Sequence, residues 1–321
     1  MHRREFLQHA CAAAAASLLA ACAPAAPLLA PTPSAPSPTP TPAAGLKPVV
    51  LLEGLDFPEG PAFDPQGRLW CTELGSGNLV LWDGQQARRF ATQGKPNGLA
   101  FDRQGRAWVP DSGQNAIRRF DPRNETWETV LDQVDGKALQ SPNDLCFDSA
   151  GNLLFTCPNF ASEERLGYVV CLSPDGGARK IAEGYYRPNG LDVVDGGKAL
   201  VVADTYQKKL FKGGWDAQER RWLDPQHWAE VGGSEGPDGM AFGADGRLYQ
   251  AIYGDGLVRV IDGQGQTVDK LALPGNNPTN AAIDPSGKLG LVVTETERGL
   301  LLSLPWVRPG AAIFDGGEAW Q

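Results

Sequence analysis

Six polar residues recur directly behind prolines in this chain, and their types suit cation chemistry. Glu59, Asn97, Asn143, Asn189, Asp238 and Thr279 are spaced by 38, 46, 46, 49 and 41 residues. Two carboxylates, three carboxamides and a hydroxyl all offer oxygen, and no Lys or Arg shares these positions. If the six converge, the two carboxylates repel unless something positive lies between them. Oxygen-only donors select a hard divalent ion: Ca²⁺ first, with Mg²⁺, Mn²⁺ or Zn²⁺ as alternatives, one per chain. Asn-Gly also shapes turns, and that plainer reading suffices for Asn97. Neither Glu59 nor Asp238 is needed for a turn.

Other chemistries are poorly supplied. The chain has 321 residues, a net charge of −9 and three histidines. His2 and His9 fall in a removable leader. His227 lies between repeats, in D-P-Q-H-W, and reads as structural or surface. A zinc site built on several imidazoles is therefore excluded. A His-supported serine or cysteine nucleophile would have to use His227. The acidic balance argues against nucleic acid as a partner. Cys71, Cys146, Cys157 and Cys171 show no C-x-x-C spacing and read as small buried hydrophobes.

The polar residues need elements to bring them together, and the sequence repeats in a way that supplies them. Each sits in a related run: P-E-G-P-A-F-D-P-Q-G-R-L-W at Pro58, P-N-G-L-A-F-D-R-Q-G-R-A-W at Pro96, P-N-D-L-C-F-D at Pro142, P-N-G-L-D-V-V-D at Pro188, P-D-G-M-A-F-G at Pro237 and P-T-N-A-A-I-D at Pro278. Short apolar runs separated by D-x-x-G punctuation read as hairpins. Residues 46–321 divide into six units of 46, the length of a four-stranded propeller blade. The expected fold is all-β: a six-bladed β-propeller with four-stranded blades. Pro48–Leu52 is expected to join the last blade and close the ring. Proline suits the start of each innermost strand, where its missing N–H is no loss.

The first 45 residues read as an address and a tether. Arg3-Arg4-Glu5-Phe6-Leu7 and the Ala/Leu run behind it resemble a twin-arginine export signal. The 16 residues from Phe6 to Ala21 are too few to span a membrane. Leu19-Ala20-Ala21-Cys22 resembles a lipobox, which makes residues 1–21 a signal peptide and Cys22 the lipidation site. A plain cut after Ala23 is the rival. Residues 22–45 are rich in Pro and Ala and favour an extended polyproline form. The expected product is a membrane-anchored, monomeric lipoprotein facing the periplasm or cell exterior. Its only membrane contact would be the lipid.

The motifs at Pro58, Pro142, Arg187 and Gly236 together resemble the SMP-30/gluconolactonase/luciferin-regenerating family of six-bladed propellers, which is similar to the diisopropylfluorophosphatases. The resemblance runs over residues 48–306. It implies a divalent ion, usually Ca²⁺, at the channel mouth. The implied ligands are Glu59, Asn189 and Asp238, with Asn143 as a fourth ligand or a substrate contact. It also implies hydrolysis of a small lactone or ester. Asp238 would be general base or nucleophile, because it carries charge beside the ion, and Glu59 a pure ligand. Asn97, Asn159, Arg187, Tyr253, Thr279 and Asn280 would line the pocket. Arg187 reads equally well as a solvated rim charge, and Glu235 as a rim charge. Sugar lactonases of the family often carry Arg two residues before the blade-three Asn, where this chain has Ser141. A phosphotriester hydrolase and a non-catalytic tethered propeller with a structural ion are the competing functions.

Overall fold

A computed structural model describes residues 47–159 and 164–308. The export signal, Cys22 and the Pro/Ala-rich tether lie outside the described residues. The described residues form the expected propeller. Six antiparallel sheets of four strands follow one another, each beginning at its innermost strand. Blade one, for example, runs Pro58–Phe63, Leu69–Glu73, Asn78–Trp82 and Ala87–Ala91. The innermost strands meet in chain order around one axis, and the last (Pro278–Ile283) returns to the first. Val49–Leu52 pairs with Leu300–Leu304 as the outer strand of blade six, so the two ends of the domain clasp in one sheet.

The D-x-x-G punctuation has a double role. Asp64 Oδ1 accepts the backbone N–H groups of Gln66 and Arg68 at 3.0 and 2.9 Å, which closes the turn. Its Oδ2 accepts Trp70 Nε1–H at 2.9 Å, which pins the core indole of the same blade. Asp102 repeats this with Arg106 N and Trp108. Blade three has no tryptophan at that place, and Asp148 takes Trp215 from blade four instead. The turn acid therefore also ties neighbouring blades together.

Apolar packing lies between blades. Trp70 stacks on Phe90 at 5.4 Å and meets Phe101 of blade two at 5.5 Å. Burying each such side chain contributes roughly 1.5–3 kcal/mol. Cys71, Cys157 and Cys171 are buried, unpaired thiols in these layers, and Cys146, also unpaired, is only half-buried, short of the burial expected for all four. One element was not foreseen. A ribbon of Gln133–Val134 and Lys137–Ala138 turns through Asp135 and Gly136, both at positive φ. It lays Val134 and Leu139 over the core between blades two and three.

Candidate metal centre at the channel mouth

All six residues behind the prolines are buried where the innermost strands enter the ring. Their backbones are held by bonds between neighbouring blades. Thr72 Oγ1 donates to Asn97 O at 2.6 Å and Thr156 Oγ1 to Asn189 O at 2.8 Å. Thr205 Oγ1 donates to Pro237 O at 2.8 Å, and Thr279 Oγ1 to Pro58 O at 2.7 Å. Gly98 N donates to Asn143 O at 2.8 Å, and within blade five Gln250 Nε2 donates to Asp238 O at 2.9 Å.

Glu59 and Asp238 come close enough to influence each other's ionisation. Burial pushes the Glu59 carboxyl well above its usual range, and the charges of Asp238 and Asp144 push it further. The Gly60 N–H at 3.2 Å and the Asn280 amide act the other way. Asp238 is raised by burial and then by Asp144. The Asn189 amide, whose Nδ2 donates to Thr205 Oγ1 at 3.3 Å, and the Arg187 charge oppose the rise. Asn143 Oδ1 is buried with no hydrogen-bond partner, which is uncommon for a native polar atom. Two desolvated acids and an orphaned acceptor at one mouth are the donor set a hard cation satisfies. Among the described residues no three His, Cys, Asp or Glu side chains are arranged to hold a metal alone. The set here mixes two acids with two carboxamides, and the residues present fit such an ion.

The expected pocket residues divide. Tyr253 is half-buried and faces the acids: burial raises its hydroxyl's pKa, and the charges of Asp238, Glu235 and Glu59 add to this. Arg187 stands at the rim, its guanidinium 3.9 Å above the Tyr206 ring, on a backbone N–H held by Asp204 Oδ1 at 3.1 Å. Asn159 is half-buried with a left-handed backbone, its N–H on Gln140 O. Asn97 is buried in the ring. Thr279 departs from the expectation. It is fully buried and its hydroxyl is engaged by Pro58 O and Thr294 Oγ1, so it ties blade six to blade one rather than facing a substrate. Asn280 lies one position deeper, beneath the mouth. Glu235 is exposed at the rim, and His227 is exposed on the outermost strand of blade four.

Two acids escaped the sequence reading. Asp144 follows Asn143 directly and is buried, which pushes its carboxyl up to about 6. Asp192 lies further down the channel and is pushed up to about 7, also by burial. A signal existed for both. Asp144 stands where four repeats have Gly, and Asp192 where four have Ala.

A six-bladed propeller with oxygen donors gathered at the mouth of its channel is the class that fold and geometry define. The chain belongs to the SMP-30/gluconolactonase/LRE-like family, whose region matches residues 57–297. Diisopropyl-fluorophosphatase from Loligo vulgaris is 29% identical over 201 residues, which cover 57% of this chain and 63% of that protein. The chain thus matches under two thirds of the length of that curated relative. Among solved structures, a gluconolactonase from Xanthomonas campestris superposes with a TM-score of 0.71 at 26% identity, over 80% of this chain and 89% of that one. The calcium-binding protein regucalcin from Agrobacterium tumefaciens str. C58 gives 0.72 at 19%, over 82% and 95%, a likeness of fold.

Proposed function

We propose that this chain is a divalent-metal-dependent hydrolase acting on a small lactone or ester, with Ca²⁺ as its ion. The observation that carries the reading is the pairing of two desolvated carboxylates, Glu59 and Asp238, with the orphaned Asn143 Oδ1. Glu59, Asn143, Asn189 and Asp238 would hold the ion, which when bound supplies a Lewis acid for the carbonyl and for the charge developing on its oxygen. Asp238 takes the proton of the attacking water and passes it to the alkoxide released when the acyl C–O bond breaks, or it attacks the acyl carbon itself, expelling the alkoxide, which takes a proton from water, and leaving an anhydride that water opens. The Asn189 amide lies beside Asp238 and favours its ionised form, which suits either role. Glu59 contributes charge and position. Tyr253 and Arg187 border the space above, where the ring oxygen and substituents of a lactone would lie. Ser141 offers no guanidinium for the hydroxyls of a sugar, so the reading favours a less hydroxylated lactone.

The test is a panel of lactones, esters and phosphotriesters with and without chelator, repeated on Asp238→Asn. Chelator should abolish turnover, and the folded variant should lose at least ~10²-fold. Full activity in either case would overturn the mechanism. Phosphotriester hydrolysis is the second reading, favoured by the similarity to the Loligo enzyme, and the same panel ranks it. For the leader, the proposal is a lipid anchor at Cys22. Cys22→Ala should release the protein from membranes, and unchanged fractionation would defeat that proposal.

A further inference from the structure

We propose that Asp144 is a positioning residue of the cation centre, a third negative charge set in the floor of the mouth and coupled to Glu59 through Asn280. The inference rests on the reading of the mouth as a metal site. It starts from one register position. The residue after each anchor is Gly60, Gly98, Asp144, Gly190, Gly239 or Asn280. Four of the six have no side chain. The two that do belong to blades three and six, which stand opposite each other in a six-bladed ring.

Across that diameter Asn280 Nδ2 donates to Asp144 Oδ2 at 3.2 Å. Each partner keeps its remaining polar atom on its own strand: Asp144 Oδ1 accepts Leu145 N at 2.9 Å, and Asn280 Oδ1 accepts Ala281 N at 2.8 Å. The bridge fills the tier, and the glycines make room for it. A Cβ on Gly98 would lie 2.3 Å from Asp144 Oδ1, and one on Gly239 would lie 2.0 Å from Asn280 Cγ. Both are closer than real Cβ atoms come. The mouth therefore has a built floor, and one of its two polar members is an acid.

A floor alone does not call for an acid. Two amides could span the same gap without burying charge. Instead the chain buries Asp144 beside Glu59 and Asp238, both of which its charge affects. Among the described residues no Lys or Arg lines the channel cavity beneath, and Arg187 acts on Asp238 only from the rim. Three like charges in a desolvated channel are unfavourable by themselves. They become favourable when a divalent cation sits above the floor. Asn280 carries the coupling: its amide donates to Asp144 and lies near enough to Glu59 to oppose the rise of that carboxyl's pKa.

The test is Ca²⁺ binding to the full-length chain by calorimetry at pH 8, which needs no substrate. Asp144→Asn should weaken Ca²⁺ binding at least ~10-fold, the scale of losing one charge near a partly desolvated ion. The double variant Asp144→Asn with Asn280→Asp moves the acid across the channel and keeps an amide-to-carboxylate bridge. It should bind within threefold of wild type. If Asp144→Asn binds as tightly as wild type, or if the exchanged pair binds as weakly as the single variant, the proposal falls. Should the single variant not fold, the exchanged pair decides alone, and a tenfold loss there overturns the idea. A wild-type chain that binds no divalent ion defeats the reading of the mouth itself, and this inference with it.

Discussion

The channel has two acidic tiers, and the upper one differs from the lower in how its acid is partnered. At the mouth, Glu59 and Asp238 share space with Asn143, Asn189 and, just beneath, the Asp144–Asn280 bridge. Further down, Asp192 stands in a tier whose other members are Ala62, Ala100, Cys146, Ala241 and Ala282, bordering a cavity of about 150 Å³. Its Oδ2 accepts Phe242 N at 2.9 Å. Both tiers desolvate a carboxylate, yet only the upper one gathers several oxygen donors at one point. A raised carboxyl pKa is thus common to both, and convergence of donors is what marks a site.

Turnover should separate the tiers most sharply. Against the ~10²-fold loss expected of Asp238→Asn, Asp192→Asn should retain activity within about threefold, because it adds or removes no donor at the mouth. Equal losses would erase the distinction. Ion binding comes next. Free Ca²⁺ at 100 times its Kd should stabilise the protein by about 2.7 kcal/mol, seen as a rise in Tm of roughly 5–10 °C. Glu59→Gln should remove most of that rise and Asp192→Asn almost none.

The stitches should matter less. Thr156→Val removes the bond to Asn189 O and the acceptor for Asp144 N at 3.2 Å, at a cost of about 1–3 kcal/mol in denaturant unfolding. Cation affinity should fall with it, whereas a matching change at the exposed Thr129 should alter neither. The smallest effect is in pH. Asp144 and Asp192 bind protons more tightly folded than unfolded, since burial raises them to about 6 and about 7. Without ion, stability should therefore fall as pH rises from about 4 to about 7. Ca²⁺ should flatten the part owed to the mouth, and Asp192→Asn the part nearest pH 7. A stability that rises over this range in chelator would contradict both assignments.

Much of the architecture was legible because a propeller writes itself as a period. Proline behind each inner-strand entry, D-x-x-G at each turn and Val49–Leu52 before the first anchor sufficed for blade number and ring closure. The Gln133–Ala138 ribbon was not legible, because it interrupts the period once. At the site, residue type identified Glu59 and Asp238, but type alone could not separate Thr279 from the asparagines. A hydroxyl reaches a neighbouring carbonyl as readily as it faces a channel, and here Pro58 O takes it.

What the sequence determined by itself is the list of six anchors and their shared register, since both follow from local strand and turn chemistry. The tertiary structure decided which side chains the channel receives. Register shifts interrupt inner-strand pairing between Glu59 and Ala62, Pro188 and Leu191, Pro237 and Met240, and Pro278 and Asn280. An irregularity of this kind breaks simple alternation, so the anchor and its successor can both face the axis. Ring closure then sets blade three across from blade six. Asp144 and Asn280, separated by 136 residues, meet only because of that closure.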